Sequence, residues 1–197
     1  MPRPSQIEER RKELLPVVAR AFAELGYRRA TTATLAERCE VKQAILYRLW
    51  PDKKAMFLAA IEFLYGRRMS EFRKAVADSP DDVPAMESAL DHVAEQLGKD
   101  DLYRIIFAGL AENDDPDIQN ALKKMYRDYQ AYIEEFISRH RADSSPSGVP
   151  NDTNSAWAII GLVTVSNVLK QLNLLPLKRR KEMFRDLAKH LVNGYEE

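Results

Sequence analysis

The sequence predicts an all-α protein. Three observations lead there: only seven glycines occur in 197 residues, Leu, Ala, Glu, Lys and Arg dominate, and apolar residues recur at three- and four-residue spacing between polar, proline-marked breaks. The length suits one well-buried domain, or a small domain sharing a core with a larger one.

The first helix is expected over residues 6–25, with Leu14, Leu15, Val18, Ala21, Phe22 and Leu25 as its apolar stripe and Gly26 as its end. Pro16 lies inside that run and removes one backbone hydrogen bond, which predicts a kink or a fresh start there. Residues 31–53, TTATLAERCEVKQAILYRLWPDK, then spell two short helices and a tight turn. Leu35 and Ala36 face inward from the first, Cys39 and Val41 close the turn, and Ile45, Leu46 and Leu49 resume helical spacing. This is a helix-turn-helix pattern, with a recognition helix over residues 42–49. Asp52, following Pro51, is placed to cap a fourth helix over 53–77, which at 1.5 Å per residue is about 37 Å long.

Residues 77–84, ADSPDDVP, break the pattern. Helices follow over 85–97 and 101–111, then a long amphipathic one over 117–141 that buries Ile118, Leu122, Met125, Tyr129, Tyr132, Ile133 and Phe136. The segment 141–152 reads as a mobile Ser/Pro loop. Residues 153–172 are apolar on nearly every side, so this helix needs two partners. The last helix, 176–195, is amphipathic through Met183, Phe184, Leu187, Ala188 and Leu191, for about nine helices in all.

Thr31, Thr32, Leu35, Ala36, Val41, Leu46, Tyr47, Trp50 and Lys53 fall where the TetR/AcrR family of bacterial transcriptional regulators carries its TT-x-x-IA-x-x-x-GV-S-x-x-x-LY-x-HF-x-x-K motif. The chain resembles that family. The resemblance implies a helix-turn-helix DNA-binding domain over 1–54 and a ligand-binding and dimerisation domain over 55–197. It further implies a homodimer through the last two helices, a double-stranded DNA operator and a small-molecule effector. Three positions depart from the motif. Glu40 stands at the usual glycine, where a β-carbon in a left-handed turn costs roughly 1 kcal/mol and predicts a strained or reshaped turn. Lys42 replaces a capping Ser or Thr, and Leu49 replaces the His before the aromatic.

The zero net charge hides a polarity. Residues 1–54 carry twelve Lys/Arg against seven Asp/Glu (+5), and the remainder carries eighteen against twenty-three (−5). A phosphate backbone attracts the first part and repels the second. A single cysteine, Cys39, excludes an internal disulfide, is expected to be buried, and fits a reducing cytoplasm. The N-terminus lacks the apolar core of a signal peptide, and no stretch approaches 18 uninterrupted apolar residues, so a soluble, cytoplasmic protein away from the membrane is expected.

For DNA, the outward residues of the recognition helix are Lys42, Gln43, Ala44, Tyr47 and Arg48. Gln suits adenine, Lys and Arg suit guanine, and Ala suits a thymine methyl. Thr31, Thr32 and Lys53, at helix starts, suit phosphate. The arm 2–4, Pro-Arg-Pro, would either enter a minor groove or stay disordered. Helices that the family uses to line its cavity carry Phe63, Tyr103, Phe107, Met125, Tyr129 and Trp157, with Arg67 and His92 as polar anchors. This implies an apolar or aromatic effector, or else ordinary core.

Other clusters read blandly. Glu112, Asp114, Asp115 and Asp117 look like helix-end caps, and the basic run 178–181 looks like a solvated face or a partner for acids. No Glu-x-x-His pair, Gly-rich phosphate loop or G-x-S-x-G elbow occurs. The reading is therefore a regulator without metal or cofactor and not an enzyme. A homodimeric repressor leads; a helical interaction protein with a decayed helix-turn-helix, or an activator, remains open.

Overall fold

The computed structural model describes residues 6–78, 85–97, 102–142 and 148–194. Among these the chain forms nine α-helices and no strand: α1 Gln6–Arg29, α2 Thr32–Arg38, α3 Gln43–Leu49, α4 Lys53–Ala77, α5 Ala85–Gln96, α6 Leu102–Leu110, α7 Pro116–Ala142, α8 Asp152–Gln171 and α9 Leu177–Asn193. The 2–4 arm and most of the 77–84 break lie outside the described residues. So do the centre of the 141–152 loop, residues 98–101 and Tyr195.

Two compact units form. The first holds residues 1–68 and 101–125. The helical rows of α1 bury Leu14, Val18, Ala21 and Phe22, joined by Leu35, Leu46, Met56, Phe57, Ile105 and Ile106. Pro16 does not restart α1. It sits exposed on the helix surface, and the one non-helical residue inside the span is Gly26, at φ 74° and ψ 170°. That left-handed conformation, open to glycine because it lacks a β-carbon, ends the main run where the sequence expects it. The chain then turns Tyr27 back onto the core. Its ring lies 6.3 Å from Phe22 and 4.9 Å from Phe57, and those two pack edge-on at 5.0 Å.

The acidic corner after α6 caps and pairs. Asp115 Oδ1 accepts from the N–H groups of Asp117 at 2.9 Å and Ile118 at 3.2 Å, capping α7. Lys54 at the start of α4 reaches Asp115 at 3.2 Å and Asp117 at 2.5 Å, and Arg28 reaches Glu112 at 2.7 Å. Desolvation would raise the Asp115 pKa, but the Ile118 N–H, the Lys54 ammonium and the Asp117 N–H outweigh it and hold the carboxyl below its usual range.

The second unit holds residues 69–100 and 126–197. Its core joins Met86, Leu90 and Ala94 of α5, Ile137 of α7, Ala156 and Ile159 of α8, and Phe184, Ala188 and Val192 of α9. Leu187 departs from expectation: it is 46% exposed, and Val192 takes an inward place instead. On the part of α7 in this unit, residues 126–142, the buried residue is Ile137, with Tyr129, Tyr132, Ile133 and Phe136 only half-buried.

Arg141, at the end of α7, ties this unit together. Its guanidinium donates to Pro150 O at 2.9 Å, Asp152 Oδ1 at 2.6 Å, Ser155 Oγ at 3.1 Å and the carbonyls of Leu191 and Val192 at 2.5 and 3.1 Å. The basic row of α9 lies along the acidic row of α5: Lys189 with Glu87 at 3.0 Å, Arg185 with Asp91 at 2.6 Å and Glu95 at 3.0 Å, and Lys181 with Glu95 at 2.5 Å.

Glu40 adopts φ 53°, the left-handed conformation anticipated for the α2–α3 turn. Glu40→Gly removes the β-carbon clash, and the expected gain is on the order of 1 kcal/mol, a rise of about 3 °C in melting temperature. Thermal unfolding followed by circular dichroism measures it. An unchanged or lower midpoint would mean that the Glu40 side chain stabilises the turn as much as its backbone strains it.

Candidate functional site

α2 begins with Thr31 as its N-cap. The Thr31 Oγ1 accepts from the Thr34 N–H at 3.1 Å and shares a hydrogen bond with the Thr34 hydroxyl at 2.9 Å. At the far end the N–H of Cys39 closes the helix onto the Leu35 and Glu37 carbonyls. The Cys39 thiol is buried, as its place on the inner face suggests, and burial pushes its pKa up. Val41 N–H returns to Ala36 O at 3.0 Å and completes the turn.

α3 begins at Gln43, and Lys42 is an N-cap whose side chain makes no capping hydrogen bond, as the loss of a Ser or Thr predicts. Leu46 and Leu49 are buried and hold the helix against the core. Lys42, Gln43, Ala44, Tyr47 and Arg48 are all exposed. Among the described residues, the side chains of Lys42, Gln43 and Arg48 make no hydrogen bond or ion pair. The helix is apolar beneath, and three of its outward side chains are unengaged among the described residues.

Two contacts fix its geometry that residue spacing does not announce. Arg11 of α1 donates Nε–H to Leu49 O at 2.6 Å, satisfying a carbonyl at the end of α3. Tyr47, 50% exposed, donates its hydroxyl to Thr32 Oγ1 at 3.1 Å and so links the outward faces of α2 and α3. The signal for the first is only an arginine two helices earlier, one of many arginines in the chain. For the second it is two hydroxyl side chains fifteen positions apart.

Lys53, half-buried at the start of α4, sits over the Tyr27 ring at 4.3 Å and donates to Tyr27 O at 3.1 Å. Its ammonium retains further donors beside this contact. Asp52 Oδ1 accepts from Ala55 N–H at 2.7 Å, the cap expected for α4.

The eight effector candidates divide between the two units. In the first, Arg67 is exposed and lies 6.0 Å from the Phe63 ring, Tyr103 and Phe107 stand 6.2 Å apart on α6, and Met125 is buried. In the second, His92 is half-buried, 6.1 Å from Phe72, whose ring also meets Tyr132 at 5.6 Å and Phe136 at 6.1 Å. Phe72 is the neighbour that residue spacing does not single out, whereas Phe136 is expected only on the inner stripe of α7. Tyr129 is half-buried. Trp157 is 44% exposed and heads an outward strip of α8 that continues through Gly161, Val165, Val168 and Leu172.

Residues 15–60 match the family described as "Bacterial regulatory proteins, tetR family". An uncharacterized HTH-type transcriptional regulator of Mycobacterium bovis is 24% identical over 157 residues, spanning 80% of this chain and 75% of that protein. A TetR-family transcriptional regulator of Cytophaga hutchinsonii superposes with TM-score 0.82 over 99% of this chain and 98% of its own, at 14% identity. AibR, solved with isovaleryl coenzyme A and operator DNA, superposes with TM-score 0.68 over 95% and 100%, at 16% identity. Those two superpositions establish the fold, and the match over residues 15–60 covers the two short helices and turn just described. Residues 15–60 thus match the TetR family of bacterial regulatory proteins, within a chain whose all-helical fold is that of TetR-family regulators.

Proposed function

We propose that the protein is a homodimeric, cytoplasmic repressor that reads a palindromic operator with α3 and is released from it by a small-molecule effector. The observation that carries the DNA reading is the unengaged outer face of α3. Lys42, Gln43 and Arg48 stand there with no hydrogen bond or ion pair among the described residues, beside Ala44 and a Tyr47 whose hydroxyl bonds Thr32, on a helix whose Leu46 and Leu49 are buried beneath. The first 54 residues carry the +5 charge that a phosphate backbone attracts. Thr31 and Thr32 at the start of α2, and Lys53 at the start of α4, are the proposed phosphate contacts. In that arrangement residues 1–54 act as the DNA-binding part and residues 55–197 as the ligand-binding and dimerisation part.

The dimer reading rests on α8. Trp157, Val165, Val168 and Leu172 are 44%, 50%, 38% and 62% exposed and recur at three- and four-residue spacing, giving one apolar strip. A strip of this kind on a soluble protein marks an association surface. Pairing it with its copy, alongside α9, is the proposed seam.

The effector reading is an apolar or aromatic small molecule. Phe63, Tyr103, Phe107 and Tyr129 are each half-buried, aromatic surface that the monomer leaves partly uncovered. Arg67 and His92 supply polar anchors, with Met125 and Trp157 as further apolar contacts. That AibR was solved with both a thioester ligand and operator DNA supports a two-ligand reading of this fold.

Selection of bound sites from a random-sequence DNA pool tests the proposal, with enrichment of an inverted repeat whose half-sites lie about one helical turn apart as the expected result. Recovery of random sequence would favour an interaction protein with a decayed motif. Tyr47→Ala and Arg48→Ala should each weaken operator binding by roughly 1–3 kcal/mol while the dimer stays folded, as read by fluorescence anisotropy at fixed salt. Unchanged affinity in both removes them from the interface.

Val168→Glu should convert a dimer of about twice 22.6 kDa into a monomer at micromolar concentration by light scattering. A wild-type chain already monomeric sinks the seam. For the effector, a panel of fatty acids, flavonoids, cationic dyes and aromatic acids is expected to contain a compound that both raises the melting temperature and releases operator. Stabilisation without release would retain a pocket and discard induction.

A further inference from the structure

The two ends of α3 are held by different means. At its start the turn is closed by main-chain bonds, from Glu40 N–H to Glu37 O and from Val41 N–H to Ala36 O, both at 3.0 Å, so that end is tied to α2. The other end leaves the helix at once. Trp50 is extended at φ −135° and ψ 137°, its N–H closes onto Leu46 O at 2.8 Å, and the last carbonyls of this seven-residue helix have no intrahelical donor. Arg11 takes the final one, donating Nε–H to Leu49 O at 2.6 Å.

The position of Arg11 on α1 explains its reach. It is exposed, yet it heads the row that continues through Leu14, Val18 and Phe22, all buried and three or four residues apart. An apolar residue would extend that row; an arginine instead carries a donor past its end to α3. The charge arrives at the negative pole of the α3 dipole. Among the described residues no carboxylate pairs with Arg11, whereas its neighbour Arg10 pairs with Glu13 at 2.5 Å.

What the bond holds is the turn with the most to lose from movement. The last turn of α3 points Tyr47 and Arg48 outward and buries Leu46 and Leu49. Two leucines resist withdrawal from the core but not a small rocking of the helix, while a hydrogen bond to the main chain is directional. Recognition by hydrogen bonds to base edges requires side chains placed to within about 0.5 Å.

We propose that Arg11 is a positioning residue for DNA recognition: by holding the Leu49 carbonyl it sets the angle at which the last turn of α3 presents Tyr47 and Arg48 to the bases. The inference rests on the reading of α3 as the recognition helix. Arg11 touches no base in this scheme. Its role belongs to the Nε–H donor and not to the charge.

Two substitutions separate donor from charge. Arg11→Gln puts an amide N–H as many bonds along the side chain as Nε and removes the charge; Arg11→Met puts a methyl group there and removes both. Fluorescence anisotropy of the full chain at fixed salt, with the operator recovered by site selection and with a random-sequence duplex, gives the ratio of the two affinities. Arg11→Met is expected to lower that ratio about tenfold, the scale of one misplaced base contact, and Arg11→Gln to leave it within about twofold of wild type. Arg48→Ala should also weaken operator binding less in the Arg11→Met background than in wild type, because the contact it removes is already misplaced.

A loss of affinity for both duplexes alike in both variants, with a shallower salt dependence, would make Arg11 a phosphate contact and overturn the proposal. So would an equal fall of the ratio in both variants. An unchanged ratio in Arg11→Met overturns it too, even with a lower melting temperature, since stability alone leaves the ratio of the folded protein untouched. If Arg11→Met fails to fold, Arg11→Ala, which also lacks the donor, is read in the same way. A wild type that prefers no sequence over random DNA sinks the recognition-helix reading and this role with it; a wild type that selects an operator confines any failure to Arg11.

Discussion

The packing of Phe22, Tyr27 and Phe57 is the constraint on which the first compact unit depends. Phe22 and Phe57 are fully buried, and the three rings form one cluster from α1, the chain after its break, and α4. The cluster exists because Gly26 can take φ 74°; a continuous helix would carry Tyr27 away from Phe57. Once Tyr27 is home, its carbonyl and ring receive Lys53, and α4 starts at a fixed place. The interval between the two is the helix-turn-helix, so α2 and α3 are anchored at both ends. Arg11 then takes the Leu49 carbonyl directly and fixes the end of α3 beneath its outward side chains.

Charge is spent differently on the two sides of that platform. Cations behind it are matched: Arg38 with Glu24 at 2.7 Å, Arg28 with Glu112 and Lys54 with two aspartates. Lys42 and Arg48 on the front have no such partners among the described residues. Exposed pairs of this kind add little stability one at a time, and their effect is to cancel charge locally. Lys42 and Arg48 therefore leave part of the +5 balance of residues 1–54 on the outward face of α3.

Much of this was legible in the residues. The ends of α4 follow directly from Asp52 and the break after Ala77, and the bounds of α5 to α9 agree to within one or two positions, because caps, prolines and helical periodicity are local signals. The exposed set on α3 was legible for the same reason. What escaped was decided by partners distant in sequence. Pro16 could not be judged until its exposed position was known, since a helix tolerates the lost bond more readily on its open side. Leu187 reads as core by spacing, yet Arg180, Phe184, Ala188 and Val192 hold the inward row. The register that brings Lys181, Arg185 and Lys189 onto α5 is likewise invisible in a single helix.

α8 shows how far an all-round apolar pattern can mislead and inform at once. Two of its faces are used within the chain, but not only by apolar residues: Ser155, Ser166 and Asn167 are buried, and Asn167 donates to Val163 O at 2.8 Å. Such polar groups sit where α9 and the Arg141 cluster can satisfy them, with Ser166 Oγ as the exception. The third face holds the bulky apolar residues in the open, interrupted by Gly161, where an added β-carbon would meet nothing within 4 Å. At about 25 cal/mol per Å² of apolar surface removed from water, four such side chains supply several kcal/mol to any surface that covers them together. Helix propensity gives no reason for a glycine at that point, since it costs roughly 1 kcal/mol relative to alanine. A close approach by a second helix does give one, because only there does the absence of a side chain shorten the distance between two backbones.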